Sequence, residues 1–190
     1  PQYSNGQSNE GGVFVYHGSS LGLSTMPIIV LENNWAGSQL GFSVSSAGDV
    51  NGDGFSDIIV GALHNGNLQQ GVVLVYQSSG TSLIQTPTIV LESNQTDSGF
   101  GQSVSSAGDV NGDGFSDLIV GAPTYDNGQI YEGVAFIYYG NGTEGLRRTP
   151  QAFNTNNVQP IQQANLPDEQ FAMRLFAKHF LGRSRAKLVW

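Results

Sequence analysis

Two nine-residue stretches concentrate the side chains that could do chemistry: Asp49-Val50-Asn51-Gly52-Asp53-Gly54-Phe55-Ser56-Asp57 and Asp109-Val110-Asn111-Gly112-Asp113-Gly114-Phe115-Ser116-Asp117. In each, oxygen-bearing side chains fall at positions 1, 3, 5 and 9, and a glycine at position 6 permits the sharp turn that points them inward. The main-chain carbonyl of position 7, Phe55 or Phe115, supplies a further oxygen. A flexible loop of hard oxygen donors with no His or Cys nearby selects calcium over zinc or copper. Magnesium keeps several of its waters, so a mostly protein cage again favours calcium. The expected ligands are therefore Asp49, Asn51, Asp53, Phe55 and Asp57 for one calcium ion, and Asp109, Asn111, Asp113, Phe115 and Asp117 for a second.

The loops are not EF-hands. Their twelfth position is Val60 or Val120 where a bidentate Glu is required, and the residues that follow, Ile58-Ile59-Val60 and Leu118-Ile119-Val120, are β-rich rather than helical. Each loop instead joins two strands. The competing reading is a metal-free Asn-Gly-Asp-Gly hairpin turn. Against it stands the repulsion among three carboxylates crowded into one short turn with no cation to offset them.

The elements that must position these loops are repeated. Residues 41–62 read GFSVSSAGDVNGDGFSDIIVGA and residues 101–122 read GQSVSSAGDVNGDGFSDLIVGA, an offset of 60 with differences only at Phe42/Gln102 and Ile58/Leu118. A second block recurs as GGVFVYHG from Gly11, QGVVLVYQ from Gln70 and EGVAFIYYG from Glu132, and a third as MPIIVLE from Met26 and TPTIVLE from Thr86. The blocks have the period of strands and are separated by Gly, Asn and Ser clusters. Four short strands per repeat is the make-up of one β-propeller blade, and strands apolar on both faces suit a sheet covered by its neighbours. The expected architecture is all-β: a half blade at 12–32, one blade near 40–92 and another near 100–146. Two to three blades make an incomplete ring, because propellers have about four to eight.

Charge divides the chain in two. Residues 1–146 hold 13 of the 15 acidic residues and none of the seven Lys and Arg, while 147–190 hold all seven basic residues. Such an acidic segment has no salt-bridge partners of its own, which suits bound cations and argues against nucleic acid. There is no cysteine among the 190 residues, so no disulfide scaffold is available. No apolar run reaches the roughly 18–20 residues that span a bilayer, so membrane insertion is not expected.

Taken together, Gly41-Phe42, Phe100-Gly101, the two DxNxDGxxD loops, Gly61-Ala62-Leu63 and Gly121-Ala122-Pro123 resemble the FG-GAP repeats of integrin alpha-subunit propellers. The resemblance covers about residues 10–140. It implies that the phenylalanine-glycine pair opens a blade, that calcium occupies the hairpin between the first two strands, and that Gly-Ala-Pro follows the second. It also implies an extracellular or cell-surface setting, where millimolar calcium fills weak sites. The first copy departs from the pattern at Leu40, in place of Phe, and at Leu63, in place of Pro.

The basic segment 147–190 reads as a linker over Thr155 to Leu166 followed by either an amphipathic helix or a β-hairpin. The hairpin would pair Phe171–Phe180 with Arg185–Trp190 around Gly182-Arg183-Ser184, as at the start of a β-sandwich. No catalytic constellation is present: His17, His64 and His179 are scattered, and no nucleophile elbow, zinc or phosphate-loop motif occurs. Asn94-Gln95-Thr96 and Asn141-Gly142-Thr143 are glycosylation sequons of a kind common by chance. Trp35 and Tyr125 lie in inter-strand loops, where propellers bind partners, but read better as loop filler. Three functions are open: an adhesion module for a protein or glycan ligand, a self-assembling surface or filament protein, and the propeller part of an exported polysaccharide-active enzyme.

Overall fold

The computed structural model describes residues 1–64, 70–79 and 82–141, and the backbone of 152–153 and 160–161. The central unit is a four-stranded antiparallel sheet of β5 (Ser43–Gly48), β6 (Asp57–Ala62), β7 (Val72–Tyr76) and β8 (Ile89–Glu92), in the order β5-β6-β7-β8. Before it, β1 (Val13–Val15) pairs with β4 (Ile29–Leu31), and a two-residue ribbon of β2 (Gly18–Ser19) and β3 (Gly22–Leu23) forms between them. After it come β9 (Ser103–Gly108), β10 (Asp117–Ala122) and β11 (Val134–Tyr138), paired in the order β11-β10-β9. Among the described residues these are propeller blades, one with four strands, one with its first three, and one with its outer pair.

A further short pair, β12 (Ala152–Phe153) and β13 (Pro160–Ile161), is antiparallel. It places a strand inside Thr155–Leu166, which the sequence reads as a linker. The hairpin or helix expected over 171–190 lies outside the described residues. Among the described residues no helix is long and apolar enough to cross a membrane.

Strand β7 shows why the blades stack. All five of its residues are buried. Val73 and Val75 face one cluster with Ile59, Ile89, Leu91, Phe100, Leu118, Val120 and Tyr138, while Val72, Leu74 and Tyr76 face another with Leu31, Leu40, Val60 and Ala62. Covering both faces of such a strand stabilises the blade by about 1.5–3 kcal/mol per Val or Leu side chain removed from water. The outermost strand differs: along β8, Ile89 and Leu91 are buried while Val90 and Glu92 are exposed, so two-sided burial stops at the blade's third strand.

The phenylalanine-glycine pair has a physical role at this interface. Phe100 is fully buried and meets Phe136 edge-on, with centroids 5.5 Å apart. Leu40, its counterpart one repeat earlier, is also fully buried. The glycine that follows, Gly101, has φ +80°, and its carbonyl would lie 2.1 Å from a Cβ placed at Gly61 of the preceding blade. The two motif glycines therefore let neighbouring blades touch backbone to backbone, and Ser43 Oγ seals the contact by donating to the Gly101 carbonyl at 2.7 Å.

Candidate metal centres and the opposite loop face

Both acidic loops connect the first and second strands of a blade. At the end of each first strand the ladder skips a residue: Ser46 and Gly48 pair with Ile58 and Asp57, and Ser106 and Gly108 pair with Leu118 and Asp117. The bulge reorients the chain as it enters the loop. Gly48 and Gly108 turn there with φ +71° and +70°.

Within the first loop the backbone amides converge on the first aspartate. Asp49 Oδ1 accepts from the N–H of Gly52 at 2.6 Å and Asp53 at 3.0 Å, and Oδ2 from Gly54 at 2.8 Å. Asn51 Oδ1 accepts from Asp53 N–H at 3.1 Å, and Asp53 Oδ1 from Phe55 N–H at 2.9 Å. Asp57 is buried at the base of the loop, where Oδ2 accepts from Val50 N–H at 3.0 Å and Oδ1 from Ser78 N–H at 2.9 Å.

The second loop repeats this bond for bond. Asp109 Oδ1 takes Gly112 N–H at 2.6 Å and Asp113 N–H at 3.0 Å, and Oδ2 takes Gly114 N–H at 3.1 Å. Asn111 and Asp113 accept from Asp113 and Phe115 N–H at 2.9 and 3.0 Å. Asp117 is held by Val110 N–H at 2.8 Å and Gly140 N–H at 3.0 Å.

The hydrogen bonds thus fix Asp49, Asn51 and Asp53 along the turn, with Asp57 anchored at its base; Asp109, Asn111, Asp113 and Asp117 follow the same plan. Among the described residues, no three His, Cys, Asp or Glu side chains form a metal-holding group. The carboxylates bond the amide groups of their own loops and, for Asp57 and Asp117, also those of Ser78 and Gly140, which carry partial positive charge. Electrostatics bear this out. Burial pushes the Asp57 carboxyl above its ordinary range, the amides of Ser78 and Val50 pull it back, and the charges of Asp53 and Asp49 push it up again. Asp117 is raised in the same way by burial, with the Asp113 charge adding to it against the amides of Val110 and Gly140.

The donor set fits a hard divalent cation. Except for Oδ1 of Asp49 and Asp109, which each accept two amides, the carboxylate oxygens keep lone-pair capacity beyond their amide bonds, and those bonds fix their direction. Asp49, Asn51, Asp53, Asp57 and the Phe55 carbonyl would hold one ion; Asp109, Asn111, Asp113, Asp117 and the Phe115 carbonyl would hold the other. Such an ion would supply the counter-charge that the crowded carboxylates lack.

The loops also touch each other. Ser116 N–H donates to the Asp49 carbonyl at 2.8 Å, Asp49 N–H donates to Ser116 Oγ at 3.2 Å, and Asn141 N–H donates to the Val50 carbonyl at 3.0 Å. The Phe115 ring lies over Gly52, where a Cβ would stand 2.4 Å from it. Ser116 was not among the expected site residues. Its only signal in the sequence is a Ser at position 8 of both loops, and that signal does not distinguish it from Ser56.

The opposite end of the blades carries the loops from second to third strand and from one blade to the next. The segment after β10 is braced on the segment after β8: Thr124 N–H donates to Ser98 O at 3.1 Å, Gln95 Nε2 to Asp126 O at 3.0 Å, and Asp126 N–H to Gln95 Oε1 at 2.7 Å. Tyr125 turns inward, edge-on to Phe136 with centroids 5.3 Å apart, and Trp35 packs against the core around Leu40. The aromatic loop residues singled out in the sequence are thus packing residues. The side chains presented outward are Ile130, 78% exposed, and Tyr131, 68% exposed and at φ +59°, its N–H tied to Asp126 Oδ1 at 2.6 Å. The sequence hints at them through an extra two residues in this loop relative to the preceding repeat.

The family model for the FG-GAP repeat matches residues 40–76 and 100–132. The chain is 34% identical over 148 residues to integrin alpha-5 of Xenopus laevis, covering 76% of this chain and 14% of that protein. It is 37% identical over 127 residues to integrin alpha-3 of Cricetulus griseus, covering 64% of this chain and 11% of that protein. With integrin alpha-IIb of Mus musculus it shares 40% identity over 101 residues, 53% of this chain and 10% of that protein. The fold and its repeats define a β-propeller protein of the FG-GAP class. More narrowly, the chain is an integrin-alpha-like FG-GAP repeat protein that spans only a small part of the length of the relatives it matches.

Proposed function

We propose that the chain is an adhesion-type propeller module of an extracellular or cell-surface protein, stabilised by one calcium ion in each of its two acidic loops. In this reading it binds a protein ligand through the loops at the other end and carries no catalytic centre. The observation that supports it most is the division of labour between the two ends of the blades. One end bears two oxygen-lined turns with matching hydrogen bonds, whose carboxylates repel one another. The other bears a braced loop that presents Ile130 and Tyr131 to solvent. A tyrosine in the left-handed region costs about 1–3 kcal/mol, and such strain persists where the surroundings hold it in place, as the Asp126 carboxylate does here.

The test is capture of extracellular matrix proteins and glycans by the immobilised, calcium-loaded chain, with Tyr131→Ala and Ile130→Ala as variants. Capture weakened by about tenfold or more in the variants, the size of a buried aromatic anchor, supports the reading. Capture undiminished by both substitutions contradicts it.

A further inference from the structure

The geometry points to the two metal loops acting as one coupled unit, in which Ser116 of the second loop is a positioning residue for Asp49, the first ligand of the first. This rests on the calcium reading proposed above and deepens it.

Asp49 is clamped on both sides of its Cα by the same serine, through its N–H and through its carbonyl. The neighbours of Asp49 are held by the second blade as well. Gly48 lies where a Cβ would stand 2.3 Å from Ser116 Oγ, and the Val50 carbonyl accepts from Asn141 N–H at 3.0 Å. The direction of the Asp49 carboxylate is therefore set partly from outside its own loop.

The clamp is itself part of the second site. Ser116 stands between Phe115, the expected carbonyl donor, and Asp117, and it follows Asp113 by three residues. An ion in the second loop fixes the chain on both sides of Ser116. That leaves less freedom to lose when Asp49 is ordered around a second ion, which is positive coupling. Reciprocity requires the first ion to tighten the second site by the same factor. Ser56 provides an internal contrast. It occupies the same loop position, is exposed, and has no hydrogen bond among the described residues. Phe55 beside it is 46% exposed, where Phe115 is half-buried over Gly52.

Calorimetric titration of the chelator-stripped chain with calcium chloride tests the coupling, using wild type, Asp113→Asn, Ser116→Ala and Ser56→Ala. The expected result is two ions bound with positive cooperativity in wild type. In Asp113→Asn, which disables the second site without touching the interface, the first site weakens by about fivefold or more, the lower end of measured allosteric couplings. Ser116→Ala keeps two ions but binds them with reduced cooperativity, because it removes the Oγ bond from the Asp49 N–H and leaves the backbone bond to the Asp49 carbonyl, and Ser56→Ala behaves as wild type. Two non-cooperative sites in wild type, with the first unaffected by Asp113→Asn, overturn the coupling and leave the calcium reading standing. No binding in wild type overturns both.

Discussion

Ser116 and Asp49, 67 residues apart in the chain, exchange two hydrogen bonds across the seam between neighbouring blades, one to the Asp49 carbonyl and one from its N–H. The seam therefore runs through the acidic loops as well as through the apolar core. Packing of the blades and the shape of the candidate metal centres are consequences of the same contact.

Gly52 and Gly112 separate the seam from the loop itself. They have φ +77° and +79°, so a Cβ is strained equally at either, but only at Gly52 does it meet the Phe115 ring; at Gly112 nothing lies within 4 Å. Gly52→Ala is expected to lower stability by about 1–3 kcal/mol more than Gly112→Ala, the usual cost of overpacking. Urea unfolding of the two variants measures the difference, and equal losses would remove Phe115 from the seam.

Phe100 and Leu40 do the same job in successive repeats, each fully buried at the opening of a blade. Phe100→Leu is therefore expected to cost less than about 2 kcal/mol, whereas Phe100→Ala leaves a cavity and costs about 3–5 kcal/mol. Denaturant midpoints should rank the wild type, the Leu variant and the Ala variant in that order.

How far the sequence carries the account can be argued from these residues. The blade, the loops and the glycines of the FG-GAP pattern are legible because the chain states them twice at a fixed offset, and each has a local cause in turn geometry or strand period. The link from Ser116 to Asp49 is not legible, because Ser56 has the same neighbours in sequence and no such partner. It arises only when two blades are set side by side. Trp35 and Tyr125 allow two readings in sequence, contact residue or loop filler; an aromatic in a loop can fold back onto the core, and both do. The ribbon β2–β3, with Leu23 largely exposed on it, has no apolar alternation to announce it. Exposure of Val90 on β8 follows from its place at the edge of the sheet rather than from its composition.

Tyr76 is fully buried, and its hydroxyl has no hydrogen-bond partner among the described residues. Tyr76→Phe is expected to stabilise the protein by about 1 kcal/mol at neutral pH, since an unpaired buried hydroxyl carries a desolvation cost of about 1–3 kcal/mol. Burial also pushes the Tyr76 phenol up to about 12, and raises Tyr138 as well. The folded state thus keeps protons that the unfolded chain releases near pH 10. The associated stability is fully present below pH 10 and is lost as the pH rises towards 12. Thermal melts between pH 8 and 12 should show this loss, and Tyr76→Phe should reduce it.

Calcium content and melting together probe the central claim most directly. Equilibrium dialysis of the chelator-stripped chain should return two calcium ions bound. At calcium about a hundredfold above the dissociation constant, each ion adds about 2.7 kcal/mol. The melting temperature should then rise by about 10 °C or more over that in excess chelator. The increment should fall by more than half in Asp53→Asn or Asp113→Asn, each of which loses its own ion and the coupling to the other, and vanish in the double variant. A chain that retains no calcium and melts at the same temperature with and without chelator would show the two loops to be metal-free hairpin turns.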